Sequence, residues 1–244
     1  HRHRCGMGTG PKGLKPLERF SNISLNVIER DILQTPLIQF NSMPHLITQN
    51  TKLKRTSDII GQRVFNFGIP AFQDSDGKRT CPFAGECAKF CYAQKGAYVW
   101  SNVAPAFQYR YMATKCDSFV DKMAVELTKK RVDILRVHDS GDYYSSAYID
   151  KWIEIAKALP YIRFYSYTKS IPLFLHRTMP ENFDIIFSEG GTRDDLIDYD
   201  KHRHCRIFDD VEALEGAGYV NAMKSDVMAT KWFNASNKVG LVMH

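Results

Sequence analysis

Short apolar runs recur along the chain, each bounded by polar or turn-forming residues, and they predict β-strands. The runs cover residues 64–67, 132–137, 162–168, 184–187 and 205–208. Apolar residues at three- and four-residue spacing predict helices between them, over 101–115, 118–130, about 145–159, 172–177 and 209–215. Because strands and helices alternate, the pattern predicts an α/β fold whose parallel βα units form a partial barrel or an open sheet.

Polar loops follow four of the predicted strands. In folds built from βα units, ligands bind at the carboxyl ends of the strands, on the loops that enter the helices. We therefore expect four loops to share one rim, and they hold a cysteine cluster, His138 to Asp142, Lys169 with Ser170, and Glu189 to Gly191.

The composition is that of a globular chain, with 244 residues of which 44% are hydrophobic and 25% charged, and this excludes disordered, collagen-like and coiled-coil classes. No apolar run approaches the roughly 18 residues that cross a bilayer, and the basic start lacks the apolar stretch of a signal peptide. We therefore expect a cytoplasmic protein without a membrane partner. Half of the net charge of +6 lies in residues 1–42, so the mildly basic remainder does not favour nucleic-acid binding.

Three of the six cysteines fall within eleven residues, where Cys81, Cys87 and Cys91 have the spacing C-x5-C-x3-C. Without a secretory signal, such a cluster indicates a metal or redox site rather than a disulfide framework. Structural zinc usually takes C-x2-C or C-x2-H pairs, whereas three thiolates on a turn-rich loop suit a [4Fe-4S] cluster. The fourth ligand is left open between Cys205, a histidine, a small molecule and a vacant position. Zinc, and cysteines that serve only as buried apolar residues, are the alternatives.

The loop after the second predicted strand carries an imidazole, a hydroxyl and two carboxylates in five residues. We predict catalytic roles for His138 and Asp139, because these groups exchange protons or bind metal. Ser140, Asp142 and the rim residue Glu189 are candidate cofactor-binding residues. The alternative for Ser140 and Asp142 is that they cap the helix that begins near residue 145.

Two resemblances follow from these motifs. The first is to the radical S-adenosylmethionine enzymes. It rests on a cysteine triad after the first strand of a βα series, on Phe90 directly before the last cysteine, and on the glycines at 190 and 191. The usual spacing in that family is C-x3-C-x2-C, which differs from the spacing here. The second resemblance is to the phage family called gene product eighty-eight. It rests on the cysteine motif through Tyr98, the His138 to Asp142 loop, and the segments 48–52, 65–70 and 239–242. That second resemblance extends from about residue 43 to the end of the chain. It implies a viral auxiliary protein in the host cytoplasm with an iron-sulfur cluster. It does not identify a substrate.

Together these observations predict a [4Fe-4S] protein with a redox or radical S-adenosylmethionine-like role and an electron donor or acceptor as partner. S-adenosylmethionine is a candidate second cofactor, and whether the protein is an enzyme stays open. Residues 43–244 are predicted to form a single α/β iron-sulfur domain, and residues 1–42, which lack an initial Met, a flexible extension that need not be native. The alternative function is a zinc-stabilised module that binds nucleic acid or protein.

Overall fold

The computed structural model describes residues 44–223 and 225–243. The predicted extension at residues 1–42 therefore lies outside the described residues. The helices are α1 (Thr51–Ile60), α2 (Cys87–Phe90), α3 (Ala104–Thr114), α4 (Phe119–Lys129), α5 (Ser146–Ala158) and α6 (Val211–Gly216). The strands are β1 (Val64–Phe67), β2 (Ile134–Val137), β3 (Arg163–Thr168), β4 (Phe183–Ser188), β5 (His204–Phe208), β6 (Val220–Asn221) and β7 (Lys238–Val242).

The described strands form one sheet in the order β1-β2-β3-β4-β5-β7-β6, and every pairing between neighbours is parallel. The sheet curls into an open half-barrel. The predicted α/β class with parallel βα units is thereby confirmed. All five predicted strands form, and the first has the predicted bounds of Val64–Phe67.

Aromatic side chains hold the first strands to the helices on one face of the sheet. The ring of Trp152 on α5 lies 5.1 Å from that of Phe67 on β1 and 5.6 Å from that of Phe119 on α4, measured between centroids. All three side chains have no exposed surface, so they form the centre of this layer. Burial of such rings contributes about 1.5–3 kcal/mol each.

The opposite face of the sheet buries a second cluster that runs across successive strands. Val64, Ile134, Tyr165, Ile186, Cys205 and Val239 share this face, one from each of β1, β2, β3, β4, β5 and β7. Side chains two residues further along a strand point to the same face. Arg136, Tyr167, Ser188, Ile207 and Leu241 therefore form the carboxyl end of this face, where the predicted rim lies.

Three details differ from the predicted elements. The segment 172–177 does not form the predicted helix and holds only a short 3₁₀ turn at Ile171–Leu173. The cap of α5 is neither Ser140 nor Asp142 but Ser145, whose hydroxyl accepts a hydrogen bond from the Tyr148 amide at 3.2 Å. Helix α1 and the strands β6 and β7 were not predicted as elements. No helix in the described part of the chain is long and apolar enough to cross a bilayer.

Candidate functional site

The cysteine loop, residues 81–91, lies against loops that follow β2 and β4. The Cys87 amide donates to the Gly190 carbonyl at 3.3 Å, and the Thr192 amide donates to the Phe83 carbonyl at 3.0 Å. On the other side, the Asp142 amide donates to the Thr80 carbonyl at 3.2 Å. These backbone bonds join the loop to the carboxyl ends of two strands that lie far from it in sequence.

Gly85 allows the closest of these contacts. A Cβ atom at this position would lie 2.8 Å from the backbone carbon and oxygen of Gly191, closer than side-chain atoms approach a backbone. The Gly190–Gly191 turn is itself fixed by Asp194, whose two carboxylate oxygens accept from the Gly190 amide at 2.7 Å and the Gly191 amide at 3.0 Å. The glycine loop that resembles a cofactor loop in sequence is therefore packed against the cysteine loop.

A cavity of about 260 Å³, here called the cysteine cavity, opens between the cysteine loop and the sheet. All three loop cysteines line it, as do most residues of the loop after β2. Its other walls come from the strand ends and from the aromatic residues Phe90 and Tyr92. The thiol, charged and other polar side chains that line it include Cys81, Cys87, Cys91, Arg136, His138, Asp139, Ser140, Asp142 and Lys169.

The three loop cysteines are free and partly buried. Burial, assisted by the Asp142 carboxylate, raises the pKa of Cys81 to about 12. Burial also raises the pKa of Cys87, and the Lys169 ammonium opposes that rise. The thiolate of Cys91 contributes to the raised pKa of both other cysteines, so Cys91 interacts electrostatically with Cys81 and with Cys87.

The thiols line the cavity without forming a closed ligand set. Within residues 44–223 and 225–243, no group of three or more His, Cys, Asp or Glu side chains is arranged so that it could hold a metal ion. Cys205, a candidate fourth ligand, lies in the core on β5 with 1% of its surface exposed, and it is not among the residues that line the cysteine cavity. Burial raises the pKa of its thiol to about 12.

His138 is a buried residue at the start of the loop after β2. Its backbone has φ +65°, a left-handed conformation that is uncommon for a residue with a side chain. The ring nitrogen Nε2 lies 2.9 Å from the Tyr148 hydroxyl, and Nδ1 is buried without a hydrogen-bond partner in the described structure. Burial lowers the pKa of His138 to about 3, so the imidazole is neutral at physiological pH.

Asp139 is the buried carboxylate of this loop that keeps an unpaired oxygen. Its Oδ2 accepts from the Asn66 amide nitrogen at 2.5 Å, whereas Oδ1 is buried against Gly68 without a partner in the described structure. Burial raises the pKa of Asp139 to about 6, against the opposing effect of Arg136 and Arg110. A carboxyl group with this pKa can exchange a proton near neutral pH.

Asp142 and Ser140 hold the loop together. The Asp142 carboxylate accepts three hydrogen bonds, from the Tyr143 amide at 2.7 Å, the Thr168 hydroxyl at 2.6 Å and the Lys169 amide at 2.9 Å. The carbonyl of Ser140 accepts from the Ile69 amide at 3.0 Å. Both residues line the cysteine cavity, but the carboxylate of Asp142 is already occupied by protein donors.

Glu189 is separated from the other candidates. Its Oε2 accepts from the Arg206 guanidinium at 2.7 Å, and it is not among the residues that line the cysteine cavity. Lys169 is at the cavity, where its ammonium donates to the Ser188 hydroxyl at 2.7 Å. The structure thus brings together seven of the eight predicted site residues, namely Cys81, Cys87, Cys91, His138, Asp139, Ser140 and Asp142.

Comparison with known proteins is decisive for the family. The sequence profile described as Gene product 88 matches residues 44–241, which is most of the chain. The chain belongs to the Gene product 88 family. All the predicted site residues, from Cys81 to Glu189, fall inside the matched region.

Two relatives of the chain come from mycobacteriophages, which supports the prediction that it is a phage protein. The Gene 88 protein of Mycobacterium phage L5 is 26% identical over 137 residues, 50% of this chain and 56% of that protein. The Gene 88 protein of Mycobacterium phage D29 is 23% identical over 191 residues, 72% of this chain and 78% of that protein. The chain therefore spans little more than half the length of the L5 relative. No solved structure matches this chain.

Sequence reasoning missed the charged cavity residue Arg136. Its guanidinium lines the cysteine cavity and is paired with Asp226, while its Nε is buried without a partner in the described structure. Lys52 pairs with the same carboxylate at 2.5 Å. The available signal was an arginine inside the apolar run 132–137, because a charged residue in a buried strand needs a specific partner.

Proposed function

We propose that the protein binds a [4Fe-4S] cluster through Cys81, Cys87 and Cys91 and takes part in electron transfer. The observation that carries the proposal is that three free, partly buried cysteines of one loop line a single cavity at the strand ends. Ligands of parallel α/β folds bind at this edge of the sheet. When bound, such a cluster supplies one-electron transfer at a potential that its surroundings set.

The donor types favour this group, although the three thiols would have to draw together to hold it, because the described residues form no ready ligand set. Thiolates are soft ligands that favour iron-sulfur clusters and zinc over hard cations. A cluster held by three thiolates is anionic, and the cations of Lys169 and Arg136 lie in the wall of the same cavity, where the carboxyl groups of Asp139 and Asp142 oppose them. The ammonium of Lys169 already opposes the rise in the pKa of Cys87, and a cation in this position favours the thiolate that a metal requires.

The size of the cavity favours a compact group. Its volume of about 260 Å³ is below the roughly 300–1,000 Å³ of pockets that hold drug-sized ligands. A cluster alone suits this volume better than a cluster together with S-adenosylmethionine. Electron transfer is therefore the role that we propose, and cleavage of S-adenosylmethionine is examined as a separate activity of the same preparation.

The residues around the cavity have distinct tasks in this proposal. His138 presents a neutral ring, so it adds no charge next to the cluster. Asp142 fixes the loop through its three hydrogen bonds, and Phe90 and Tyr92 line the cavity from the side of the cysteine loop. Restricted solvent access and fixed dipoles are the means by which proteins tune cluster potentials.

The test is anaerobic purification with iron and sulfide supplied, followed by analysis of iron, sulfide and zinc and by an absorption spectrum. We expect about four irons and four sulfides per chain and a broad visible absorption. Cys87→Ala should lose both, whereas Cys205→Ala, which removes a free thiol that does not line the cavity, should keep both. Thermal unfolding of the two variants shows whether each is folded.

Two results would overturn the proposal. One zinc and no colour in protein that had been supplied with iron would identify a zinc-stabilised module, and salt-dependent binding to nucleic acid would then be measured. Equal iron contents in the wild type and a folded Cys87→Ala variant would show that the loop cysteines do not hold the iron.

A further inference from the structure

A second and larger cavity lies next to the cysteine cavity and has no role in the proposed function. Its volume is about 710 Å³, within the range of small-molecule pockets. It is here called the Asp74 cavity. Ala71, Ala93, Gln94 and Ser140 line both cavities, so the two cavities share part of their walls.

The walls of the Asp74 cavity combine two kinds of surface. Tyr98 and Phe107 provide aromatic rings whose centroids are 5.5 Å apart with an angle of 32° between the planes. Amide and hydroxyl groups come from Gln73, Ser75, Gln94, Ser101, Gln108 and Ser140. Such neutral polar groups act as both donors and acceptors of hydrogen bonds.

Among the described residues that line this cavity there is no lysine, arginine or histidine, and Asp74 is the one charged side chain. The wall therefore offers no cation to a phosphate or carboxylate. A negative charge on the ligand would meet the carboxylate of Asp74 instead. This balance of charge selects against anionic ligands.

Asp74 itself is 5% exposed and has one free oxygen. Its Oδ1 accepts from the Asp76 amide at 2.9 Å and from the Lys78 amide at 2.7 Å, which fixes the turn 74–78. Its Oδ2 is buried and has no hydrogen-bond partner in the described structure. A buried carboxylate oxygen without a donor costs free energy, and a ligand N–H group at this point would remove that cost.

We propose that the Asp74 cavity binds an uncharged planar heterocycle with an amino group, the chemistry of a nucleobase. Oδ2 of Asp74 accepts from the amino group, the glutamine and serine groups complete the hydrogen bonds at the edge of the ring, and Tyr98 and Phe107 contact its face. Proteins read single bases through such a combination of edge hydrogen bonds and aromatic contacts. This binding does not depend on a metal.

Calorimetric titration of the full chain with cytidine, adenosine, guanosine and uridine tests the proposal, with cytidine 5′-monophosphate as the charged probe. We expect at least one amino-bearing nucleoside to bind at least about tenfold more tightly than uridine, because uridine has no amino group to donate a hydrogen bond to the carboxylate. The 5′-monophosphate should bind no more tightly than cytidine.

Asp74→Asn is the decisive variant, because Asn keeps an acceptor for the turn and puts a donor in place of Oδ2. The substitution should weaken the binding of the preferred amino-bearing nucleoside about tenfold or more, and it should reduce the difference in affinity between that nucleoside and uridine. Asp76→Asn changes the same charge at an exposed position that does not line the cavity, and it should bind like the wild type.

Three results would overturn this proposal: no binding of any of the four nucleosides, equal affinities in the wild type and Asp74→Asn, or tighter binding of the 5′-monophosphate. The titrations are repeated on a folded Cys87→Ala variant. Loss of the cluster with retained nucleoside binding separates this proposal from the one for the cysteine cavity.

Discussion

At the scale of single residues, the candidate site contains polar groups with different degrees of pairing. Asp142 has three protein donors, whereas Asp139 keeps one buried oxygen without a partner. Both carboxyl groups have pKa values raised by burial. A buried polar group that its own protein leaves unpaired costs stability, and such a cost is typical of residues retained for binding or catalysis.

The buried imidazole of His138 leads to a prediction about pH. Its pKa is about 3 in the folded chain, below the ordinary value of 6.5, because of burial. Between these values the unfolded chain binds a proton that the folded chain does not. His138 therefore does not reduce the free energy of unfolding above pH 6.5. As the pH decreases from there toward 3, this group lowers the free energy of unfolding by about 1.4 kcal/mol per pH unit.

His138→Asn removes this titration, and Asn tolerates the left-handed backbone at this position. We expect the free energy of unfolding, measured in urea between pH 7.5 and 4.5, to decrease less steeply with falling pH than that of the wild type. The exposed His176→Asn serves as the control and should keep the wild-type slope. Parallel slopes for the wild type and His138→Asn would contradict the buried neutral imidazole.

At the scale of elements, the cysteine loop is held by backbone contacts between two glycine positions. Gly85 lies against Gly191, and Asp194 fixes the amides of the turn that Gly191 belongs to. The contact joins the segment after β1 to the segment after β4, so it determines where the three cysteines stand relative to the sheet.

Gly85→Ala should therefore displace the cysteine loop. The added methyl group would lie 2.8 Å from the backbone of Gly191, and we expect a loss of about 1–3 kcal/mol in the free energy of unfolding. Proteolysis within residues 81–91 should become faster, and the iron content of the reconstituted protein should fall.

Gly216→Ala is the matched control, because an added Cβ there meets no atom within 4 Å. It lies at the end of α6, where alanine is a better helix former than glycine. Its stability should equal or slightly exceed that of the wild type. A Gly85→Ala variant as stable as Gly216→Ala would show that the glycine contact does not fix the loop.

At the scale of the whole molecule, one buried carboxylate joins three distant parts of the chain. Asp226 follows β6, and it pairs with Arg136 on β2 and with Lys52 on α1, both at 2.5 Å. Burial alone would raise the pKa of Asp226, but Arg136 and Lys52 outweigh it and hold that pKa below its ordinary value. This cluster also positions Arg136 at the cysteine cavity.

Asp226→Asn should destabilise the protein by about 3–5 kcal/mol near neutral pH, because it leaves the buried Arg136 without its counter-ion. The stability that the carboxylate contributes is present above its unfolded pKa of about 3.9 and is lost as the pH falls through the lower folded value. Urea unfolding should therefore show a difference between variant and wild type that is constant above pH 5 and shrinks below pH 4.

Asp133→Asn is the control for this prediction. Its ion pair with Arg63 is at the surface, where 41% of the Asp133 side chain is exposed, and we expect a change within about 1 kcal/mol. Similar losses in the two variants would mean that Asp226 acts as an ordinary surface charge.

The elements that the sequence predicted well are those with strong local patterns. The five runs became strands because a parallel strand that is buried on both faces is rich in apolar residues, and these runs are mostly apolar. Strand β7 was missed because Gly240 interrupts its run, yet a Cβ at this position would lie 2.4 Å from Leu214 on α6. Helix α1 was missed because it buries only Leu53 and Thr56, which leaves little apolar periodicity.

The site could be predicted to the level of its loops and no further. Parallel strands place their carboxyl ends at one edge, so the order of elements predicted that Cys81, Cys87, Cys91 and the His138 to Asp142 loop share one rim. The Asp74 cavity and Arg136 did not, since their surroundings come from segments far apart in the chain.

The sequence by itself thus determined the α/β class, the five main strands and the family, because each rests on local patterns and motifs. Only the tertiary structure decided which side chains are left to act. Asp142 is occupied by Thr168, 26 residues away. Glu189, Asp139 and Asp74 each keep one oxygen without a partner in the described structure, but Glu189 is paired with Arg206 through its other oxygen and lines neither of the two cavities. A hydrogen bond depends on distances in space, and those are fixed by the packing of strands and loops that no local pattern records.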